Sequence, residues 1–216
     1  TEAALLAGSM TLAHRFDLAE SGKLSDDEIG FLRVATNLCK MRSCQHSHRI
    51  ILTGIETLGG NGAIETFSVL PRLLRDNVVY ENWEGTHNTL VAQTLRDFSK
   101  PSLQQGFISG LKKLLDLPQH SDLQPALNRL TESVQGLEEG IAAALASTSA
   151  GVGALILRPH LEAAADIYLA ATYAHDIATE TDAERRSQDV AMLNWFMTHN
   201  LTLSAQRRDQ AYAAAA

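Results

Sequence analysis

Apolar residues recur along this chain at intervals of three and four rather than two. From Thr1 to Glu20, Leu5, Leu6, Leu12, Phe16 and Ala19 stand among polar neighbours, which predicts a helix that stops near Ser21-Gly22. Ser25-Asp26-Asp27-Glu28 then has the form of a capping box: a hydroxyl able to accept from the amide three residues on, and a carboxylate able to reach back. A helix of about 30 residues, roughly 45 Å at 1.5 Å per residue, is expected from there. Its apolar stripe runs through Ile29, Leu32, Ala35, Cys39, Ile51, Leu52 and Ile55, with a polar middle at Arg42, Gln45, His46 and His48, and it ends at Gly59-Gly60.

Pro71 suits the first turn of a short helix that carries Leu70, Leu73 and Leu74 inward, with Arg75-Asp76 expected to end it and to form a local salt bridge. Val78-Val79-Tyr80 is a β-branched and aromatic run too isolated to make a sheet. Thr86 is a natural N-cap for a helix through Leu90, Val91, Thr94, Leu95 and Phe98. Beyond Lys100-Pro101 the composition shifts to Ala and Leu. Helical spacing appears over Gln104 to Leu115, Ser121 to Ala146, Leu155 to Thr179 and Ser187 to Ala214. Breaks are expected at Pro118, around Gly151-Val152-Gly153 and near Thr181-Asp182, Pro159 should begin or kink the third of these helices, and Ala213 to Ala216 should fray. The fold class that follows is all-α: an up-down helical bundle over residues 1–100 and a helical C-terminal extension over 101–216 packed on it.

A length of 216 residues with 45% hydrophobic content is enough for a real core. A net charge of −7 argues against general affinity for nucleic acid or an anionic membrane. No apolar run approaches the roughly 20 residues a bilayer span needs, and no signal-peptide pattern opens the chain. Cys39 and Cys44, five apart on one predicted helix, point to different faces and read as reduced core thiols. These features predict a soluble, cytoplasmic protein. Because the chain starts at Thr1 and enters directly into a helical pattern, it is expected to be the C-terminal piece of something longer.

The clustered candidate chemistry lies between Glu56 and Phe98. Gly59-Gly60-Asn61-Gly62 lacks the Lys-Ser/Thr of a P-loop and the preceding strand of a Rossmann turn, and by itself reads as a helix-ending turn. His46 and His48, two apart on a helix, do not face each other, and the other histidines have no ligand-spaced partners, so no metal site is expected. Glu84, beside Trp83 and Gly85 and just ahead of a helix, reads either as a surface glutamate or as a carboxylate placed for chemistry. The residues alone leave both open.

Taken in order, LGGNG, PRLLRD and WEGT before a helix resemble the C-terminal helical domain of the acyl-CoA dehydrogenases over roughly Thr1 to Lys100. The Trp before EGT and Glu56, where many members carry Gln, look closest to the long-tailed branch that contains the alkylation-response flavoprotein AidB. The resemblance implies an oxidoreductase in which Glu84 removes the α-proton of an acyl-CoA thioester while hydride leaves the β-carbon for FAD. Such a site works by excluding water and stabilising enolate-like charge. It further implies that Gly59 and Gly60 approach the dinucleotide part of FAD, often that of a neighbouring subunit, and that Trp83, Gly85, Thr86 and Asn88 lie near the flavin or its pyrophosphate. A homo-oligomer (dimer or tetramer), an electron-transfer acceptor, and an N-terminal helical domain and a β-domain not contained in this chain are the implied partners. Without those domains little or no FAD binding and no catalysis are expected. Ala63, where an aromatic is usual, and His87, where a small polar residue is common, depart from the pattern. Two further readings are an acyl-CoA oxidase, which shares the base and flavin, and an AidB-like protein whose extension binds duplex DNA. Against the latter, the residues after Lys100 carry 8 Lys and Arg against 13 Asp and Glu, where a phosphate-binding face should be cationic. The only Arg-Arg pairs there are Arg185-Arg186 and Arg207-Arg208, each with acids nearby.

Overall fold

The computed structural model describes residues 1–117, 120–146 and 150–215, with the side chains of 150, 151, 153, 154 and 202–215 outside the description. Among the described residues there are α-helices, one 3-10 turn and no strand: α1 (Glu2–Glu20), α2 (Asp26–Thr57), the turn (Gly59–Ala63), α3 (Leu70–Asn82), α4 (His87–Phe98), α5 (Pro101–Leu115), α6 (Gln124–Leu145), α7 (Ala150–Thr179) and α8 (Ala183–Ala215). The all-α reading of the sequence holds. Starts are set by local chemistry. The amide of Glu28 donates to Ser25 Oγ at 3.4 Å, and that of Ser25 to Glu28 Oε2 at 3.0 Å, which closes the box that opens α2. Prolines occupy the first turns of α3, α5 and α6, where a missing N–H costs nothing.

The packing is centred on α7. From His160 to Ala174 every residue is buried, which fits a helix enclosed on all sides. Its alanines at 163–165, 170, 171 and 174 let neighbours come close, and α1, α2, α4, α5, α6 and α8 all pack on it. Tyr168 donates its hydroxyl to the carbonyl of Gly8 at 2.6 Å, which holds α1 against α7. Helix α5 packs along α2, and two glycines bring them together. A Cβ on Gly106 would sit 2.6 Å from the Asp27 carbonyl oxygen, and one on Gly110 would sit 2.1 Å from the Phe31 ring. Phe31 stacks on Phe107 at 5.8 Å, and Phe107 meets Phe98 at 5.9 Å.

Several local expectations are corrected. Arg75-Asp76 does not end α3, which runs to Asn82 and absorbs Val78-Val79-Tyr80; side-chain contacts with α2 outweigh the strand propensity of that run. Arg75 pairs with Glu65 rather than with Asp76. The stripe on α2 is rotated from the predicted one: Ile29 and Leu52 are exposed, and Phe31, Val34, Leu38 and Met41 are buried with Leu32, Ala35 and Cys39. On α1 the buried face is Ala4, Gly8 and Leu12, and Leu6 and Phe16 are exposed. Of the leucines expected inward on α3, Leu73 is exposed. The helix α7 begins at Ala150 and passes through Gly151-Val152-Gly153 and Pro159. Cys39 and Cys44 are free thiols. The expected break at Pro118, the side chains of Arg207-Arg208 and the fraying of Ala213 to Ala216 lie outside the described residues.

Candidate functional site

Helix α3 runs back along α2, with Leu70 near Gly54 at one end and Glu81 near Lys40 at the other. It is held in register by a buried Asn77, whose Nδ2 donates to the Cys44 carbonyl at 3.2 Å and to Glu81 Oε1 at 3.0 Å. His48 Nδ1 meets the same Glu81 oxygen at 2.8 Å. The geometry separates the candidate residues into two places. Gly59 and Gly60 lie beyond one end of α3, and Trp83, Glu84, Gly85, Thr86 and Asn88 lie at the other. Thirteen residues of helix, roughly 20 Å, stand between.

At the second place, Trp83 caps α3, its amide donating to the Val79 carbonyl at 2.8 Å. Glu84 has φ of +58°, alone among the described non-glycine residues, and Gly85 follows at +111°. Two successive positive φ values turn the chain sharply into α4, at a cost of about 1–2 kcal/mol for the residue that has a Cβ. The turn is held from α2. Lys40 donates its ammonium to the Gly85 carbonyl at 2.6 Å and to the Glu81 carbonyl at 3.2 Å. Thr86 is the N-cap of α4, its hydroxyl accepting from the Thr89 amide at 3.3 Å.

The side chains of this turn face outward: Trp83 is 61% exposed, and Glu84, Thr86 and Asn88 are exposed as well. Trp83 Nε1 donates to Glu84 Oε1 at 2.8 Å, which fixes one carboxylate oxygen; the other has no hydrogen-bond partner among the described residues. Asn88 Oδ1 accepts from Arg158 Nη1 at 2.6 Å. His87 is half-buried, its Nε2 without a hydrogen-bond partner among the described residues. Burial, with the nearby Lys40 and Arg158 charges, pushes its imidazole pKa below the usual histidine value. At the other place, Gly59 has φ of +59°, and a Cβ added to Gly59 or Gly60 would meet nothing within 4 Å, whereas one on Gly62 would lie 2.5 Å from the Ile55 carbonyl oxygen. The turn therefore presses Gly62 onto α2 and leaves the backbone of Gly59 and Gly60 open to close approach.

A second polar group, drawn from the polar middle of α2, is buried at Arg42 and His46. Arg42 donates through Nε and Nη2 to Asp166 at 2.7 and 2.6 Å, and through Nη1 to Gln45 at 2.9 Å. His46 Nε2 lies 3.1 Å from Asp166 Oδ1, so with Asp166 ionised His46 carries its proton on Nε2. Burial opposes charge on Asp166, but the His46 hydrogen bond and the Arg42 charge outweigh it and hold the pKa below the usual carboxylate value. Burial lowers the pKa of His46. Lys40, Arg158 and Asp166 were all missed in the sequence, though one signal was available: the two carboxylates within HLEAAADIYLAA, Glu162 and Asp166, have to find partners when their helix is buried.

Among the described residues no group of three or more His, Cys, Asp or Glu could hold a metal ion, and no helix is long and apolar enough to cross a membrane. In the extension, Arg185 pairs with Glu180 at 3.3 Å and Arg186 with Asp122 at 3.2 Å, so that basic pair is neutralised locally.

Residues 3–97 match the family model of the acyl-CoA dehydrogenase C-terminal domain. That segment contains the glycine turn, Lys40 and Glu84. The chain is also 34% identical over 139 residues to acyl-CoA dehydrogenase family member 11 of Caenorhabditis elegans, an alignment covering 62% of this chain and 22% of that protein. The chain thus spans about a fifth of the length of the curated relative it matches. Because 139 residues exceed the 95 from 3 to 97, the likeness to that relative runs past the acyl-CoA dehydrogenase C-terminal domain match into the second half of the chain.

Proposed function

We propose that this chain is the C-terminal helical part of a flavin-dependent acyl-CoA dehydrogenase, and that Glu84 is the base that takes the α-proton of the acyl-CoA thioester. The observation that carries this reading is the Trp83–Gly85 turn. Within a segment matching that domain family, a strained backbone held by Lys40 projects a carboxylate with one oxygen anchored on Trp83 and the other open. Strain of this kind persists where the surroundings over-determine it. In the proposed reaction the α-carbon–hydrogen bond breaks and the proton passes to the open oxygen of Glu84. FAD, when bound, supplies the acceptor for the hydride that leaves the β-carbon.

The residues present fit a share of such a cofactor site. Trp83, Gly85, Thr86 and Asn88 would hold the flavin side, and the first amides of α4, capped by Thr86, bring positive partial charge to that end. Gly59 and Gly60, some 20 Å away along α3, would serve the dinucleotide of a neighbouring copy, consistent with a homo-oligomer. Exposed Phe67, Val79, Tyr80 and Trp83 flank these places, as expected of a surface that other domains or copies cover. Exclusion of water from Glu84 falls to that cover, which the upstream helical and β-domains of the whole protein would supply. A separate electron acceptor would reoxidise the flavin. Against the AidB-like DNA reading, the Arg185-Arg186 pair is taken up by Glu180 and Asp122 among the described residues.

The test uses the full-length protein. A yellow flavin spectrum that bleaches on mixing with acyl-CoA of graded chain length is expected. Glu84→Gln should retain the flavin and slow bleaching by about 10²- to 10⁴-fold. Bleaching at the wild-type rate in that variant refutes the assignment of the base.

A further inference from the structure

Arg158 lies outside the matched segment, on α7, yet its guanidinium reaches Asn88 in the second residue of α4. Its position is set by a rigid path. Eight residues further along α7, about 12 Å at 1.5 Å per residue, Asp166 is clamped in a bidentate pair by Arg42 of α2. Two residues before Arg42 on the same helix, Lys40 holds the Gly85 carbonyl. The two ends of the Glu84 turn are therefore tied to one frame: its Gly85 carbonyl through Lys40 to α2, and the start of α4 through Asn88 and Arg158 to α7.

The bond to Arg158 also fixes the chemistry that Asn88 presents. A primary amide has nearly two-fold rotational freedom about its last torsion and exchanges a donor for an acceptor when it flips. Arg158 offers only donors, so Oδ1 must face it at 2.6 Å. The Nδ2 group, with no acceptor among the described residues, is left as the outward donor. We infer that Arg158 is a positioning residue for the cofactor face: it locks Asn88 with its amide nitrogen outward, so that the helical extension is part of the site rather than an appendage to it. This rests on the reading of Asn88 as a residue that meets FAD.

The apo form of the full-length protein, titrated with FAD and followed by flavin fluorescence, tests this without turnover. Arg158→Ala should raise the FAD dissociation constant about three- to tenfold, Arg158→Lys should restore part of that loss, and the thermal midpoint should stay near wild type because both partners are exposed. Asn88→Asp keeps an acceptor for Arg158 but deletes the outward donor, and should weaken FAD even though its pairing with Arg158 strengthens. The Asn88→Ala/Arg158→Ala double variant should be no weaker than Asn88→Ala alone. Wild-type affinity in Arg158→Ala, or additive losses in the double variant, overturns the positioning role. A wild-type protein that takes up no FAD instead overturns the functional reading beneath it.

Discussion

Two carboxylates in this chain stand in opposite circumstances. Asp166 is fully buried, receives two hydrogen bonds from Arg42 and touches His46; Glu84 is exposed, sits at φ of +58° and has one oxygen without a hydrogen-bond partner among the described residues. The first has spent its bonding capacity on joining α7 to α2. The second keeps capacity in hand at a backbone conformation that the fold itself does not favour. A satisfied buried charge contributes to architecture, whereas an open one on a strained, externally held turn is free to act on something else.

The widest separation between the two should appear in stability. Asp166→Ala leaves Arg42 buried without its partner and should cost about 3–5 kcal/mol in urea unfolding at neutral pH, whereas Glu84→Gln should leave the unfolding midpoint near wild type. The pH dependence has a definite sign. The depressed pKa of Asp166 gives stability present above its unfolded value, near 3.9, and lost as pH falls through the folded one. The depressed pKa of His46 likewise favours the fold at higher pH, because below about 6.5 the unfolded imidazole takes up protons first. The gap between wild type and Asp166→Ala should therefore narrow in acid; a gap that widens below pH 4 contradicts the assignment.

An intermediate effect is expected at Lys40. Lys40→Met keeps the stem and removes both carbonyl bonds, costing about 1–2 kcal/mol. With Glu84 as the proposed base, displacement of its turn should lower acyl-CoA-dependent bleaching by the full-length protein about ten- to a hundredfold. An unchanged bleaching rate would mean that the turn keeps its shape unaided. The smallest effect has the opposite sign. Glu84→Gly relieves the left-handed residue and should stabilise the chain by roughly 0.5–1 kcal/mol, while removing the proposed base. A loss of stability in that variant would indicate that the Trp83 contact, not the backbone, dominates the turn.

The helices were readable because their signals are local: the capping box at Ser25, the first-turn Pro71, and three-and-four spacing. The carboxylate turn was readable for the same reason, through Gly85 and the capping Thr86. What was not readable depends on contacts across long stretches of chain. The pairings of Arg42 with Asp166, 124 residues apart, and of Lys40 with Gly85, 45 apart, leave no periodic trace. The α2 stripe was misassigned because Ile29 and Leu52 are as apolar as the residues that are buried, and only the placement of α5 and α7 decides which face goes inward. The end of α3 was misplaced at Arg75-Asp76 because the Asn77 anchor on α2, a contact 33 residues back along the chain, carries the helix on to Asn82.

Gly106 and Gly110 are the places where α5 has no side chain and α2 fills the room. Anyone transplanting the first hundred residues onto another scaffold would carry away a lock without its key. Phe31 and Phe98, nested now against Phe107, would face water, and a replacement helix could seat there only if it too omitted two side chains a single turn apart.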